Sequence, residues 1–467
     1  MNMSEYRVHK QHEIEDITIS DTVDHISNLP DCILDHILSF MPTKDVLKTS
    51  ILSTRWKNLW AFVPNINIDD NLLCETKVEG SCNPDMTSFV EFVERVLHLR
   101  DSSNIKKFRL SCDVFQNAFQ IHTWIFYSIM HNVQELDICL LPGIDPSVIP
   151  TCLFHSTSLV TLKLEVNEVE LPSHVSFPSL KTLHLSFLIF PDDDYAHKLF
   201  SGIPVLENLV LSDCMWMHLD NILISSSSLK NLTIDDQTYY EPLDDTNGCK
   251  IKIDAVNLTY FEYIGHLSSE IILSNVPSLV IASIHISLPQ ERQKEVACRA
   301  LDLLKLLQNV VSLWLSNDTM ESVMCTDNMP LYFPVFTNLI RLTLTKGIKS
   351  FTFGALMDML YFCPILQSIC ISEGFEQCMN IGDSDRMWLL IPICVSKCLK
   401  TMTFNNFHAN DSEICFLKRV LKYAHVLERM NICWSKTQLL DLKKQTEVRK
   451  ELEMIERSSR ACVINLS

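Results

Sequence analysis

Phosphate cradles need glycines close together, because only glycine lets consecutive backbone N–H groups turn toward an anion at little cost. This chain of 467 residues has nine glycines. The closest two, Gly347 and Gly354, fit no Gly-x-Gly-x-x-Gly, phosphate-binding P-loop or Gly-x-Ser-x-Gly elbow. His12-Glu13 has no second histidine at metalloprotease spacing. Asp192-Asp193-Asp194 and Asp235-Asp236 offer oxygen ligands to a hard cation, but lack the glycine and terminal glutamate of a calcium loop and read as solvated loop charges. His25, His36 and His285 fall on helix or strand positions that ordinary packing explains. Eighteen cysteines could supply a nucleophile or thiolate ligands. No Cys-x-x-Cys occurs, and the closest pair, Cys394 and Cys398, has no His or Cys partner at finger spacing. The pattern points to no catalytic site, no metal site and no cofactor.

The elements that could position a site are large. Hydrophobic residues make up 47% and charged residues 21% of the chain, enough for a substantial core, and the length predicts two or three structural units. The polar, acidic stretch before Thr22 is expected to be a disordered arm, residues 1–22. The formal net charge of −18 and the lack of a dense Lys/Arg run argue against nucleic-acid binding and against a polybasic membrane anchor. No apolar stretch reaches the roughly 18 residues of a membrane span. Leu303–Leu315 is interrupted by Lys305, Gln308 and Asn309, and Met387–Val395 is too short. Glu5, Arg7, His9, Lys10 and Glu13 break any apolar signal core. The expected location is intracellular, in the cytoplasm and/or nucleus, with the cysteines reduced.

Residues 24–60 predict three short helices. Pro30 suits a first helical turn and Asp31 complements the helix dipole. Ile33, Leu34, Ile37, Leu38 and Met41 recur at helical spacing. Pro42 ends that helix. Thr43 is placed to cap the next, which carries Val46, Leu47 and Ile51 on one face. Ser53 is placed to cap a third, with Trp56, Leu59 and Trp60. So small a core leaves two readings open, apolar residues that pack only on one another or a stripe meant in part for a partner.

The same segment resembles the F-box of plant F-box proteins. The matching residues are Asp24-x-Ile26-Ser27-x-Leu29-Pro30-Asp31, Ile37-Leu38-Ser39, Pro42-Thr43-Lys44-Asp45, Thr49-Ser50-x-Leu52-Ser53-x-Arg55-Trp56 and Leu59-Trp60. Met41 stands where Leu is usual, and Cys32-Ile33 replaces a commoner polar-aliphatic step. The resemblance implies docking on a Skp-type adaptor, and through it on a cullin. Carried over, the adaptor-binding residues are Leu29, Pro30, Ile33, Leu34, Ile37 and Leu38, with Trp56 helping to build the surface.

From Ile105 onward an apolar-x-x-apolar-x-apolar phrase recurs thirteen times, from Ile105/Phe108/Leu110 and Val133/Leu136/Ile138 to Leu427/Met430/Ile432. Its spacing is close to the leucine-rich-repeat period. The expected architecture is α/β, a small three-helix F-box followed by a curved leucine-rich-repeat solenoid with a parallel β-sheet on the concave face. The phrase residues would point into the core, and the segments between strands would form a helical or irregular outer layer. The repeats at Leu258 and Leu279 depart most from the pattern, and Ser212-Asp213-Cys214 matches the fuller motif best. The amphipathic run Phe89, Phe92, Val93, Val96 and Leu97 predicts a helix capping the first repeat. Residues outward on the strands, Lys163, His184, Val210, Thr233, His285, Trp314 and Thr343, form the candidate substrate-binding surface. Trp314 reads equally as an interface anchor and as packing between neighbouring strands.

The carboxy-terminal segment resembles the FBD domain of plant F-box proteins, through Cys398-Leu399-Lys400, Phe404, Phe407, Glu413, Phe416-Leu417, Leu421, Val426-Leu427-Glu428 and Ser458–Ile464. The expected boundaries are 1–22 arm, 23–60 F-box, 61–104 linker and capping helix, 105–390 leucine-rich repeats and 391–467 FBD domain. These resemblances imply a non-enzymatic subunit of an SCF-type cullin-RING ubiquitin ligase that brings an unknown protein substrate to ubiquitination. Two other functions are compatible with the same elements. One is a non-degradative interaction protein that binds the Skp adaptor. The other is a small-ligand sensor of the hormone-receptor type, which needs several Lys/Arg converging on the concave face, where few are found.

Overall fold

The computed structural model describes residues 26, 29–70, 86–101, 103–112, 118–140, 145–216, 219–237, 249–287, 293–324, 333–345, 347–348, 352–375, 391–440, 442–455 and 457–467. The predicted arm, residues 1–22, lies outside them.

The amino-terminal unit comprises helix α1 (Asp31–Leu38), helix α2 (Thr43–Lys48), a short 3₁₀ turn (Thr49–Ile51) and a 3₁₀ helix (Trp56–Phe62). Its core is its own: Leu34, Leu38, Val46, Trp56 and Val63 are buried, with Leu29, Met41, Leu59 and Trp60 packed against them. Arg55 fixes the entry to α1. Its guanidinium donates to the Leu29 carbonyl and to Asp31 Oδ1 at 2.6 Å, clamping the Leu-Pro turn. Neither predicted side-chain cap forms. α2 has Pro42 at its N-cap, and the 3₁₀ helix has Arg55. The Thr43 hydroxyl instead accepts the N–H of Asn67, 2.8 Å away in the first strand of the sheet.

That sheet has 15 parallel strands. It starts at β1 (Asn65–Asp69), β2 (Lys107–Cys112), β3 (Glu135–Leu140), β4 (Thr161–Glu165), β5 (Thr182–Ser186) and β6 (Asn208–Ser212). It continues through β8 (Asn231–Asp236), β10 (Tyr260–Gly265), β12 (Ile281–Ile286), β13 (Ser312–Leu315), β14 (Arg341–Leu344) and β15 (Ser368–Ile371). It ends with β16 (Thr401–Phe407), β17 (Arg429–Trp434) and β18 (Val463–Leu466). Strictly alternating burial, as in β4 with Leu162 and Leu164 inside and Lys163 and Glu165 outside, follows from the period-2 pattern of the phrases. The inner face packs on helices that include Ala118–Met130, Asp193–Ser201, Gln293–Leu306, Thr352–Tyr361 and Asp411–Tyr423, in one continuous core. Strand followed by crossover and parallel strand, repeated along the chain, is the leucine-rich-repeat solenoid.

Three differences from the sequence expectation have physical causes. The sheet begins one strand early: β1 pairs in register with β2, Ile66 beside Phe108 and Ile68 beside Leu110. The amphipathic helix Met86–Leu99 therefore follows the first strand and belongs to the outer layer, and the F-box unit covers the β1 edge. Second, the outer layer is neither helical nor irregular in the middle repeats. β7 (Asn221–Ser225), β9 (Lys250–Asp254) and β11 (Glu270–Ser274) form a separate parallel sheet, with Ile222, Ile224, Ile251, Ile253, Ile271 and Leu273 turned into the core. Alternating aliphatic residues favour strands over helices there. Third, the repeats at Leu258 and Leu279 are regular, since β10 and β12 pair over six consecutive residues.

The residues that resemble an FBD domain continue this sheet as β16, β17 and β18, with helices Asp411–Tyr423 and Leu442–Glu453 between them. Glu413 joins them to the preceding repeat. Its fully buried carboxylate accepts the N–H groups of Phe375 (3.0 Å), His408 (3.0 Å) and Asn410 (3.2 Å), and the Asn410 side chain accepts the Glu413 N–H in return. Burial pushes this carboxyl above its ordinary pKa, and the three amides oppose that shift.

Candidate protein-interaction site

The apolar stripe read from α1 divides in two. Leu34 and Leu38, one turn apart, face the unit's core and are fully buried. Ile33 and Ile37, also one turn apart, lie 44% and 41% exposed, and Pro30 beside them is exposed as well. Leu29 is half-buried against the core. The sequence-derived adaptor set thus separates: Pro30, Ile33 and Ile37 present their side chains to solvent, whereas Leu34, Leu38 and Trp56 are interior and can act only by holding the outer face in shape. Ile26, Phe40 and Leu52 are exposed apolar residues that helical periodicity did not single out, and Ile51, which periodicity put on one face with Val46 and Leu47, is 86% exposed while Val46 is buried. This much exposed aliphatic and aromatic surface on so small a unit marks an interaction site rather than a free surface.

The unit is held firmly to the solenoid. Asn65 Nδ2 of β1 donates to the Ser39 carbonyl at 3.0 Å, and the Asp101 N–H to the Ala61 carbonyl at 3.2 Å. The buried Arg100 guanidinium bonds the carbonyls of Val63, Asp101, Ser103 and Asn104, at 2.9–3.3 Å. Burial lowers its pKa below the usual guanidinium value. No sequence motif pointed to Arg100. Its only cue is a cation at the end of an apolar helix.

The second candidate surface is the outward face of the long sheet. Register places Lys163 beside His184, His184 beside Val210 and Val210 beside Thr233. The row continues through Glu262 and Ser283 to Trp314 and Thr343. Six of the seven candidates therefore share one row. His285 does not: Ser283 occupies the row position in β12, and His285 lies two residues further along. Its Nε2 lies 2.9 Å from Ser283 Oγ and its Nδ1 3.2 Å from Thr345 Oγ1, so both ring nitrogens are engaged within the sheet. His184 lies near Ser212 (3.2 Å) and Ser186 (3.3 Å). Burial, and then Lys163, push its imidazole below its ordinary pKa. Trp314 is 42% exposed between Ser283 and Thr343, so its neighbours cannot cover the ring. Glu262 and Ser283 complete the row and were not foreseen, because they fall in the least regular phrases.

The residues with metal or catalytic potential have structural partners. Asp192 caps the helix Asp193–Ser201 by accepting the Tyr195 N–H at 2.7 Å, and Asp193 and Asp194 fill its first turn. Asp236 accepts from Ser268 at 2.9 Å. Cys394 and Cys398 donate to the carbonyls of Leu360 and Pro364 in the previous repeat. Cys214 is buried, with its thiol pushed up to about 12 by desolvation, and donates to the Leu185 carbonyl. Among the described residues, no group of three or more His, Cys, Asp or Glu is arranged to hold a metal ion, and no helix is long and apolar enough to cross a membrane.

A compact helical unit with an exposed apolar face, set on the first strand of a leucine-rich-repeat solenoid, defines a protein-interaction molecule of the F-box class. Comparison with known proteins agrees. The F-box domain family matches residues 26–66, and the family described as FBD-associated F-box protein At5g56370, LRR repeats, matches residues 121–244. The chain is 31% identical to the F-box/LRR-repeat protein At3g59210 of Arabidopsis thaliana over 442 residues, covering 87% of this chain and 86% of that protein. It is 30% identical to F-box/LRR-repeat protein At4g14096 of the same plant, covering 96% of each. It is 33% identical to the putative F-box/FBD/LRR-repeat protein At3g59240, also from Arabidopsis thaliana, covering 74% of this chain and 68% of that protein. The chain belongs to the F-box/LRR-repeat family. Members of this family are typically adaptor or interaction proteins rather than enzymes.

Proposed function

We propose that the chain is the substrate-recognition subunit of an SCF-type cullin-RING ubiquitin ligase. In this reading Pro30, Ile33 and Ile37 dock on a Skp-type adaptor, which is bound to a cullin, and the outward face of the solenoid holds a target protein for ubiquitination. The observation that carries the reading is the split of α1, in which Leu34 and Leu38 complete the unit's core while Ile33 and Ile37 remain outside it. The F-box family match over the same residues supports it. The chain itself contributes proximity and orientation of the target, and the transfer chemistry belongs to other subunits. Full-length protein and an Ile33→Asp/Ile37→Asp variant are purified with a Skp-type adaptor, and candidate targets are followed under proteasome inhibition and after its release. Adaptor recovery with the parent chain alone, and target half-lives that lengthen in the variant, are the expected results. Equal adaptor recovery would remove the docking assignment. Adaptor binding with no change in any target's lifetime would favour a non-degradative interaction protein.

A further inference from the structure

The charge on the outward face of the sheet is unevenly distributed. On that face strands β2 to β10 carry Glu135, Asp137, Glu165, Asp235 and Glu262, and two of the cations facing outward there are paired. Lys107 meets Glu135 at 3.7 Å and Arg109 meets Asp137 at 3.9 Å. From β12 to β18 no strand contains an Asp or a Glu. In a chain of net charge −18 this is a local reversal. Two solvent-exposed arginines, Arg341 of β14 and Arg429 of β17, stand on that acid-free stretch, and neither side chain forms an ion pair with a described residue. Glu428, next to Arg429 in sequence, faces Lys400 at 3.9 Å.

The two arginines lie in one register row. Arg341 pairs with Ser368, Ser368 with Thr401, and Thr401 with Arg429. Three strand spacings separate them, about 14 Å at the usual 4.7–4.9 Å per strand. An extended chain advances about 3.3 Å per residue and repeats its facing every two, so carboxylates at positions i and i+4 span that distance on one face. Trp314 sits one strand before Arg341 and two residues along, about 8 Å away on the diagonal, where an apolar side chain at i−2 would reach it. Serine and threonine hydroxyls lie between the arginines and offer a bonding partner to the intervening backbone.

We infer that the outward face of β13–β17 docks an extended acidic polypeptide segment of the target, with an apolar side chain on Trp314 and two carboxylates, four residues apart, on Arg341 and Arg429. The inference rests on the reading of this face as the target-binding surface. Complementary charge carries it: two exposed guanidinium groups with no ion-pair partner among the described residues, on strands that contain no Asp or Glu, favour a partner that supplies carboxylates.

The test uses the full-length chain with its Skp-type adaptor and fluorescein-labelled ten-residue peptides in a Gly/Ser background, read by fluorescence anisotropy. The probe carries Leu at i−2 and Glu at i and i+4. Controls replace both Glu by Gln or by Lys, or move the second Glu to i+3. The Glu probe is expected to bind at least about tenfold more tightly than each control, and more weakly as salt rises. Arg341→Ala, Arg429→Ala and Trp314→Ala should each weaken it about threefold to tenfold, and Arg341→Glu/Arg429→Glu should abolish it, all without loss of Tm or adaptor recovery. No binding of the Glu probe, equal binding of the Lys control, or indifference to the arginine variants would overturn the inference. Binding that emerges only when residues 1–25 are removed would overturn the partner assignment and give the face to the chain's own acidic amino-terminal residues. Adaptor recovery is scored separately in every sample, so failure of the ligase reading and failure of the docking surface are told apart.

Discussion

Replacing Ile33 and Ile37 together by alanine tests the division of α1 directly, because Leu34 and Leu38 on the same helix provide the internal control. Fully burying one aliphatic side chain is worth about 1.5–3 kcal/mol. The two isoleucines retain 44% and 41% of their surface for a partner, so covering what remains contributes together about 1.3–2.6 kcal/mol, or roughly 10- to 80-fold in adaptor affinity. The fold should lose little, since a half-exposed Ile on a helix surface gives up modest packing and alanine restores helix propensity. Leu34→Ala removes a fully buried side chain from a core of a few residues and should cost about 2–5 kcal/mol. Isothermal titration of adaptor against the full-length chain measures the affinity, and amide hydrogen exchange over residues 31–62 measures the local stability. An Ile33→Ala/Ile37→Ala variant that binds the adaptor with unchanged affinity would refute the docking face. One that loses exchange protection as severely as Leu34→Ala would refute the division of the helix.

Other outcomes follow from single contacts. Glu413→Ala strands the buried N–H of Phe375 and the half-buried N–H groups of His408 and Asn410 and should cost about 3 kcal/mol, read as a fall in urea midpoint, whereas Glu413→Gln keeps one acceptor oxygen and should lose less. Gly265 has φ +144°, and a Cβ there would stand 2.2 Å from the Asp236 carbonyl oxygen, so Gly265→Ala should cost about 1–3 kcal/mol and lower Tm. Asp192→Ala removes a helix N-cap and should cost about 0.5–2 kcal/mol. Glu207 bonds Lys230 at 2.7 Å and Lys181 at 2.9 Å, which hold its carboxyl down to about 2. Its folded pKa lies below the unfolded value of about 4.3, so its stabilisation is present at neutral pH and lost as pH falls through that window toward 2. A Tm series should lose part of its acid-side slope in Glu207→Gln, and identical slopes would disprove the link.

The solenoid was legible because its signal is local and repeated: each phrase places its own apolar residues inward whatever its neighbours do. β1 carries the same phrase, Val63-x-x-Ile66-x-Ile68, but its first residue belongs to the F-box core and its other two to the sheet, so it reads as linker. The three outer strands also announce themselves by alternation, in Ile222/Ile224, Ile251/Ile253 and Ile271/Leu273. Their pairing with one another joins residues 20 or more positions apart, which no local pattern encodes. Thr43 shows the limit on the other side. Its type and position suit a cap, and a tertiary partner, the Asn67 amide, takes the hydroxyl instead. In α1 four aliphatic residues at i, i+1, i+4 and i+5 form one broad stripe, and periodicity cannot tell which half meets the core. That His285 faces outward yet stands outside the row shared by the other six has the same origin: the row a residue occupies is set by register across strands.

Hydrogen bonds tie the F-box unit to β1 and the segment after helix Met86–Leu99, so the sheet can act as a ruler measured from that unit. β13 is the tenth strand in order from β1, nine spacings away, which sets Trp314 about 43 Å along the sheet from the first strand. Each repeat inserted or deleted between them would move the bound segment by about 4.8 Å and turn it with the sheet's twist. For a ligase subunit, repeat number would then help decide which lysines of a captured protein come within range of the charged conjugating enzyme, independently of how tightly that protein is held.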